Sequence, residues 1–242
     1  MAVSGVVLAV LGVMAVVVLR MVFPPYVPTD RAVDLILNED GYSVRRQPYG
    51  LVFFPEGERE DPGLIFYPGG NVDYRAYSYW GARLAQAGHV TVIVRMPFHL
   101  AVLAPNRADR VIDDLDMVER WYLAGHSLGG AMAGRYVAGE QQKVSGLVLL
   151  GAYVDQDLRP ADLAVASLMG SRDGVISQDN LDRGRALLPT NTIWAVLEGG
   201  NHAYFGDYGL QRGDGATSIS FEVQRDWAVD EVLQFLRDSG EQ

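Results

Sequence analysis

A serine in the segment 121–136 has the surroundings expected of a catalytic nucleophile. Gly125, Ser127 and Gly129 form a G-x-S-x-G pattern between a short apolar strand and a helix of small residues. Glycine tolerates the strained backbone and the close packing that hold a serine hydroxyl out at such a turn. The free N–H groups at the start of the helix favour negative charge beside the serine. The segment therefore predicts that Ser127 is a nucleophile.

A serine that attacks a carbonyl needs a base, and histidine suits that role near neutral pH. The chain contains four histidines. His126 lies inside the glycine pattern, where its side chain would point away from the nucleophile, and His89 and His99 flank a strand well upstream. His202 follows a late strand in a glycine-flanked loop that could carry its ring over the sheet edge. We predict His202 as the base, against the alternative of a surface or core histidine.

The base in turn needs an acceptor that fixes its tautomer and stabilises its charged form. Asp173 follows the predicted strand 164–169, which places its carboxylate at the same sheet edge as the nucleophile. Asp155 and Asp157, which follow the preceding strand, are alternatives, and Asp173 could also belong to an ordinary Asp-Gly turn. We predict Asp173 as the acid.

Negative charge that develops on a substrate oxygen calls for preorganised donors. The backbone N–H of Leu128 is one candidate. The other is expected in the segment 68–71, Pro-Gly-Gly-Asn, which follows an earlier strand. Gly70 is the first choice there and Asn71 the second, with a simple glycine turn as the alternative interpretation.

Apolar runs and helical spacings alternate along the chain, and this alternation defines the elements that must position these residues. Strands are predicted at 42–47, 51–54, 63–67, 89–94, 121–124, 144–150, 164–169 and 192–197, and helices at 74–87, 106–118, about 180–188 and 221–236. Strands separated by helices in this way are typical of a mostly parallel sheet covered on both faces.

The composition limits the class of protein. The 242 residues fit one α/β domain, and the hydrophobic fraction of 49% allows a large core. A formal net charge of -10 makes nucleic acid an unsuitable partner, because the chain would repel a phosphate backbone. The absence of cysteine excludes disulfides, thiolate metal sites and a cysteine nucleophile.

The N-terminal stretch 2–19 is apolar apart from glycine and Ser4, and Arg20 ends it. This length predicts a membrane span at 1–23, with an uncleaved or cleaved signal peptide and a buried core helix as alternatives. A proline-rich linker is expected at 24–31 and the folded domain at 32–242. The two arginines that follow the span would keep the domain in the cytoplasm by the positive-inside rule, but they are too few to decide. The side of the membrane stays open, with the extracytoplasmic side slightly preferred.

These residues resemble those of the α/β-hydrolase superfamily, and specifically its small, lidless, dienelactone-hydrolase-like branch. The resemblance covers about 63–236 and depends on four motifs, at 66–70, 125–130, 171–174 and 199–203. The order Ser127, Asp173, His202 is the order used in that family. The resemblance implies an eight-stranded sheet, acyl-enzyme chemistry and no metal or organic cofactor. Pro68 replaces a histidine common in relatives, and serine replaces the cysteine of dienelactone hydrolases, which puts lactone substrates in doubt.

The chain is too short between 150 and 164 for a cap domain, so we expect an open, shallow pocket lined by Tyr74, Met96, His99 and Tyr153. The tail 205–215 is rich in Gly and Asp, and we interpret it as solvated turns because its spacing matches no calcium loop.

The sequence therefore predicts a membrane-tethered serine hydrolase that cleaves a carboxylic ester or a related acyl compound, with a small molecule as the substrate. An acyltransferase with the same triad and a catalytically silent binding module at the membrane are the alternatives. A nucleotide-binding protein is disfavoured, since the chain has no G-x-G-x-x-G or P-loop pattern after a strand. The oligomeric state cannot be read from the sequence.

Overall fold

The computed structural model describes residues 24–240 and contains one mixed sheet in that range. The strands are β1 (Tyr42–Gln47), β2 (Gly50–Pro55), β3 (Glu60–Tyr67), β4 (His89–Val94), β5 (Trp121–His126), β6 (Gly146–Leu150), β7 (Ala164–Gly170) and β8 (Ile193–Leu197). Their order across the sheet is β1-β2-β4-β3-β5-β6-β7-β8. The pairs from β4 to β8 are parallel, and β2 is antiparallel to both β1 and β4. The predicted eight-stranded, mostly parallel sheet is confirmed.

Helices cover both faces of this sheet. They are α1 (Asp30–Leu37), α2 (Ser78–Gln86), α3 (Arg107–Asp114), α4 (Leu128–Gly139), α5 (Gln178–Arg185) and α6 (Phe221–Gly240), with short 3₁₀ turns at Tyr74–Tyr77, Pro97–His99, Ala101–Leu103 and Ala203–Phe205. One core cluster contains buried residues of α1, α2 and α6, and the other contains those of α3 and α4. Strands β4, β5 and β6 are buried along their whole length, which explains why they are continuous apolar runs instead of alternating ones.

The structure differs from the predicted helices in several places. The segment expected to be a helix at 74–87 divides into a 3₁₀ turn and α2, and the one expected at 106–118 ends at Asp114. Helix α1, whose N-cap is Thr29, was not predicted. Helical structure therefore begins two residues before the predicted start of the domain. Residues 151–163, between β6 and β7, form no helix or strand, as the prediction of no cap domain requires.

Residues 24–29, expected to be a spacer, lie against the domain. Tyr26 forms a parallel bridge with Val72, and the Thr29 N–H donates to the Asp207 carbonyl at 3.0 Å. The buried Asp207 carboxylate also accepts the Thr29 hydroxyl at 2.7 Å and the Arg31 Nε at 2.8 Å. The beginning of the described chain is therefore fixed to the segment that follows the predicted base.

The apolar stretch 2–19, predicted to span a membrane, lies outside the described residues. Within 24–240 no helix combines the length and the apolar character needed for crossing a bilayer.

Asp207→Ala is expected to lower the free energy of unfolding by about 2 kcal/mol, because it removes the buried carboxylate that accepts from the Thr29 hydroxyl and the Arg31 guanidinium. Glu222→Gln is the matched control, since Glu222 pairs with the same Arg31 side chain but is half exposed. We expect less than about 1 kcal/mol for this exposed pair. Urea denaturation of the two variants measures both quantities, and equal effects would show that residues 29–31 are not held by Asp207.

Candidate active site

Ser127 lies in a sharp turn between β5 and α4. Its backbone angles, φ 53° and ψ −124°, fall in a region that L-residues rarely adopt and that is associated with functional sites. The turn is tight because α4 starts close to the end of β3. A Cβ atom on Gly129 would lie 2.2 Å from the Tyr67 carbonyl oxygen, so only glycine fits there. Ser127 itself is half-buried, with its backbone held at the carboxyl edge of the sheet.

His202 and Asp173 meet in a buried hydrogen bond. His202 Nδ1 lies 2.7 Å from Asp173 Oδ2, and the two side chains are 0% and 3% exposed. The other oxygen of Asp173 accepts the N–H groups of Val175 and Ile176 at 2.9 and 3.0 Å, which fixes the carboxylate. Because a carboxylate accepts, Nδ1 carries the proton and Nε2 offers its lone pair. Among the described residues, Nε2 has no hydrogen-bond partner although it is buried.

Gly151, which follows β6, lies directly beneath this pair. Its φ is 48°, and a Cβ atom there would lie 3.0 Å from His202 Nδ1 and 3.2 Å from Asp173 Oδ2. Gly151 thus provides the space in which the two side chains meet. Ser127 is close by, since its N–H donates to the carbonyl of Leu150 at 3.0 Å. Gly151 was not predicted as part of the site, because the sequence does not show which side chains pack against a glycine that follows a strand.

Asp214 connects the loop of the base with the loop of the acid. Its carboxylate accepts the N–H groups of His202 at 3.1 Å, Ala203 at 2.8 Å and Gly174 at 3.1 Å. The interpretation of 205–215 as solvated turns holds for the mostly exposed residues 209–213 and is wrong for Asp207 and Asp214. Asp207 is buried, and Asp214 is half-buried with backbone donors around it. The aspartates of this tail are visible in the sequence, but the backbone and side-chain groups that they bind are distant in the sequence and could not be predicted from it.

The loop of the base is also attached to the last helix. Gln224 of α6, which is fully buried, accepts the Asn201 N–H at 2.9 Å and donates to the Asn201 carbonyl at 2.7 Å. This pair of bonds holds the backbone of the residue before His202. Gln224 gave no sequence signal, because a glutamine in an amphipathic helix is expected on the solvent side.

The segment 68–71 packs against the start of α4. A Cβ atom on Gly70 would lie 3.3 Å from the Leu128 Cβ, so these two residues are in contact. The Asn71 N–H donates to the His99 carbonyl at 2.8 Å, and the Gly69 N–H donates to the Tyr77 hydroxyl at 3.0 Å. Those two N–H groups are therefore engaged. The geometry therefore favours Gly70 over Asn71 as the second N–H donor beside Leu128. The N–H of Leu128 is the first of α4, so no carbonyl of a preceding helical turn accepts it.

A buried chain of hydrogen bonds connects this segment with the base. The Tyr77 hydroxyl lies 2.8 Å from His126 Nδ1, and His126 Nε2 lies 3.1 Å from the His202 carbonyl. Because a carbonyl only accepts, Nε2 carries the proton and Nδ1 accepts the tyrosine hydroxyl. The chain of donors therefore runs from Gly69 through Tyr77 and His126 to the backbone of His202. The centroids of the His126 and His202 rings lie 4.5 Å apart, and this network was not predicted from the sequence.

Burial determines the charge of this network. The pKa of His126 is held well below its ordinary value, first by loss of solvent and then by the neighbouring His202 ring, although its hydrogen bond to the His202 carbonyl acts in the opposite direction. Burial raises the pKa of Tyr77. Both side chains are therefore neutral at physiological pH.

Of the four residues expected to line a pocket, Met96 and His99 line one cleft, and Tyr74 and Tyr153 do not belong to its lining. Met96 is buried, and with His99 it lines a surface cleft. Tyr74 packs against the core beside α2. Tyr153 packs against α5, since a Cβ atom on Gly184 would lie 2.8 Å from the Tyr153 Cβ.

The alternative acids are engaged elsewhere, since Asp155 pairs with Arg135 and Asp157 with Arg159. In the described part of the chain, no cluster of three or more His, Asp or Glu side chains could hold a metal ion.

Residues 63–226 match the model of the alpha/beta hydrolase family, so the chain belongs to this family. The matched range includes the turn at Ser127 and the loops of Asp173 and His202. A sequence search of curated proteins finds no match to this chain.

Several solved structures share the fold. Carboxylesterase CesB (YbfK) from Bacillus subtilis is 14% identical, with a TM-score of 0.59 over 86% of this chain and 95% of its own. Naproxen esterase (carboxylesterase NP) from the same organism is 14% identical, with a TM-score of 0.58 over 85% and 94%. A CIB-like hydrolase from Thermoplasma acidophilum is 13% identical, with a TM-score of 0.58 over 79% and 99%. At these identities the likeness is one of fold.

The neutral state of His126 predicts a pH dependence of stability. The unfolded chain binds a proton at His126 below about pH 6.5 while the native chain does not, so stability is complete above that pH and decreases as the pH falls. From pH 7.5 to 5.5 the wild type should lose about 1 kcal/mol more than His126→Gln. His89→Gln serves as a comparison, because burial also lowers the pKa of His89: this variant should lose the His89 part of the pH dependence and keep the His126 part. Identical pH profiles for wild type and His126→Gln, measured by urea denaturation, would contradict the neutral network.

Gly151→Ala should separate His202 from Asp173, because the added methyl group would press on both. The Nδ1–H proton of His202 is expected to give a low-field NMR signal in the wild type that is shifted or lost in the variant. Gly57→Ala is the matched control, since nothing lies within 4 Å of the Cβ it would add. An unchanged signal in a folded Gly151→Ala protein would show that the pair tolerates the methyl group.

Proposed function

Because the chain belongs to the alpha/beta hydrolase family, we propose that it is a serine hydrolase that cleaves a carboxylic ester or a related acyl compound. One observation carries this proposal: the buried His202 donates from Nδ1 to Asp173 at 2.7 Å and keeps Nε2 without a partner among the described residues. A buried nitrogen normally finds a partner, so an orphaned one at a strained serine turn is suited to receiving a proton. The esterases among the structural neighbours agree with this choice of reaction.

In the first half-reaction Ser127 Oγ attacks the acyl carbon and its proton passes to His202 Nε2. Asp173 keeps the Nδ1 proton and stabilises the imidazolium. The N–H groups of Gly70 and Leu128 donate to the oxyanion. Collapse of the tetrahedral intermediate breaks the bond to the leaving alcohol, which takes the proton from Nε2, and the acyl group stays on Ser127.

In the second half-reaction water attacks the acyl carbon while His202 Nε2 accepts its proton. Collapse releases the carboxylic acid and returns the proton to Ser127 Oγ. An alcohol or amine in place of water would give acyl transfer by the same residues. The buried, neutral Tyr77 and His126 take no proton in these steps, and their part is to hold the backbone of Gly69 and His202.

We also propose that the protein is attached to a membrane. The apolar stretch 2–19 has the length and composition of a membrane anchor, and the domain would then act at a bilayer. No nucleic acid or cofactor is part of the proposal.

The test is labelling of the full-length protein with a fluorophosphonate probe. Ser127→Ala should lose all labelling, and His202→Ala should reduce the labelling rate at least about 100-fold, since the base is gone. Ser43→Ala, which removes a hydroxyl on β1, is the matched control and should label like the wild type. A folded wild type that does not label would contradict catalysis and favour the silent binding module. Product analysis with a competing alcohol then separates hydrolysis from acyl transfer.

A further inference from the structure

Three large apolar side chains are exposed on one short segment between β4 and α3. Phe98 is 58% exposed, Val102 47% and Leu103 55%. Apolar side chains this close together on a surface indicate a contact with something apolar. The segment consists of two 3₁₀ turns, and the second of them packs against α4, the helix that starts beside the nucleophile.

The exposed segment borders the proposed oxyanion site. The carbonyl of His99 accepts the Asn71 N–H at 2.8 Å, and Asn71 follows Gly70 directly. The apolar side chains therefore lie at the edge of the sheet where acyl chemistry is proposed, and not at the opposite edge.

The described chain begins at the same place. The side-chain amide of Asn71 donates to the carbonyl of Pro24 at 3.1 Å, and Tyr26 pairs with Val72. Only residues 20–23 separate Pro24 from the apolar stretch 2–19. Even fully extended, a connection of this length spans at most about 17 Å. A bilayer that holds the stretch 2–19 would thus lie close to Asn71.

Cationic groups accompany the apolar ones. A cleft of about 310 Å³ beside Phe98 is lined by Pro48, Arg95, Met96, Pro97, Phe98, His99 and Arg107. These seven residues include two guanidinium groups and no carboxylate, in a chain with a formal net charge of -10. Arg107 also borders a second cleft, which is lined by Arg110 and by Asp109, Asp113 and Asp114. Guanidinium groups bind phosphate well, and cations beside apolar side chains suit the surface of an anionic membrane.

We propose that the segment 97–103 docks on a lipid bilayer, so that the site edge of the domain faces the membrane. Phe98, Val102 and Leu103 enter the boundary between headgroups and acyl chains, while Arg95 and Arg107 bind lipid phosphate. The substrate is then an acyl lipid presented at headgroup level, a conclusion that rests on the proposed hydrolase activity. Docking itself does not depend on that activity.

The docking is tested by the depth of two labelled positions. The protein contains no cysteine, so Val102→Cys and Met117→Cys each give one attachment site for an environment-sensitive fluorophore. Met117 is the matched control, because it is 46% exposed and precedes β5 at the opposite edge of the sheet. The full-length proteins are reconstituted in vesicles of phosphatidylcholine and phosphatidylglycerol that carry spin-labelled lipid.

We expect the spin label to quench the fluorophore at 102 and not the one at 117. Equal quenching at both positions, or quenching only at 117, would overturn the orientation. A blue-shifted fluorophore at 102 without quenching would show that protein covers the patch, either a second copy or the N-terminal stretch, and would also overturn the proposal.

The substrate is tested with the double variant Val102→Ser, Leu103→Ser. Turnover of a long-chain ester held in the vesicles should fall at least about tenfold, because apolar area is lost from the docking surface. Turnover of a short soluble ester should not change, and Met117→Ser should affect neither. Unchanged turnover of the vesicle ester in the double variant would overturn the lipid substrate. A wild type inactive on both esters would contradict the hydrolase proposal, while the quenching result would still decide the docking.

Discussion

The arrangement of the site depends on the buried hydrogen bond between His202 and Asp173. A histidine in a surface loop would sample many orientations, and ordering it costs conformational entropy. Here the loop is fixed from several directions, because Asp214 accepts backbone N–H groups on both sides of the base and Gln224 holds the preceding residue. Gly151 leaves the space beneath the pair. One ring orientation results, with Nε2 as the only ring atom left for a proton.

The same loop is coupled to the proposed oxyanion segment through His126. Its Nε2 donates to the backbone of the base, and its Nδ1 accepts the hydroxyl of Tyr77, which in turn accepts from Gly69. A buried network of this kind is stable only when every polar atom is satisfied and neutral. Loss of solvent keeps the pKa of His126 low enough for this. The proposed oxyanion segment and His202 thus share one buried support, although Gly69 and His202 are far apart in the sequence.

Local patterns were sufficient to predict most of the fold, and they selected His202 and Asp173, which the structure brings into contact. The glycine pattern around Ser127 and the apolar strands are properties of short segments, and a parallel sheet brings the ends of its strands together. The alternation of strands and helices gave all eight strands in the right places. The assignment of Asp173 followed from its place after β7.

What local patterns could not show are contacts between distant segments. Asp214 and Gln224 bind the backbones of residues 11 to 40 positions away, and their side chains look like ordinary surface residues in the sequence. The same holds for Asp207, which belongs to a tail that appeared solvated. Proline at 24, 25 and 28 suggested a spacer, but these residues lie between bonds to Asn71 and to Asp207. That attachment has a mechanical consequence, because a segment bonded at both ends cannot act as a swivel. Residues 24–29 are therefore part of the surface of the domain and not a flexible spacer.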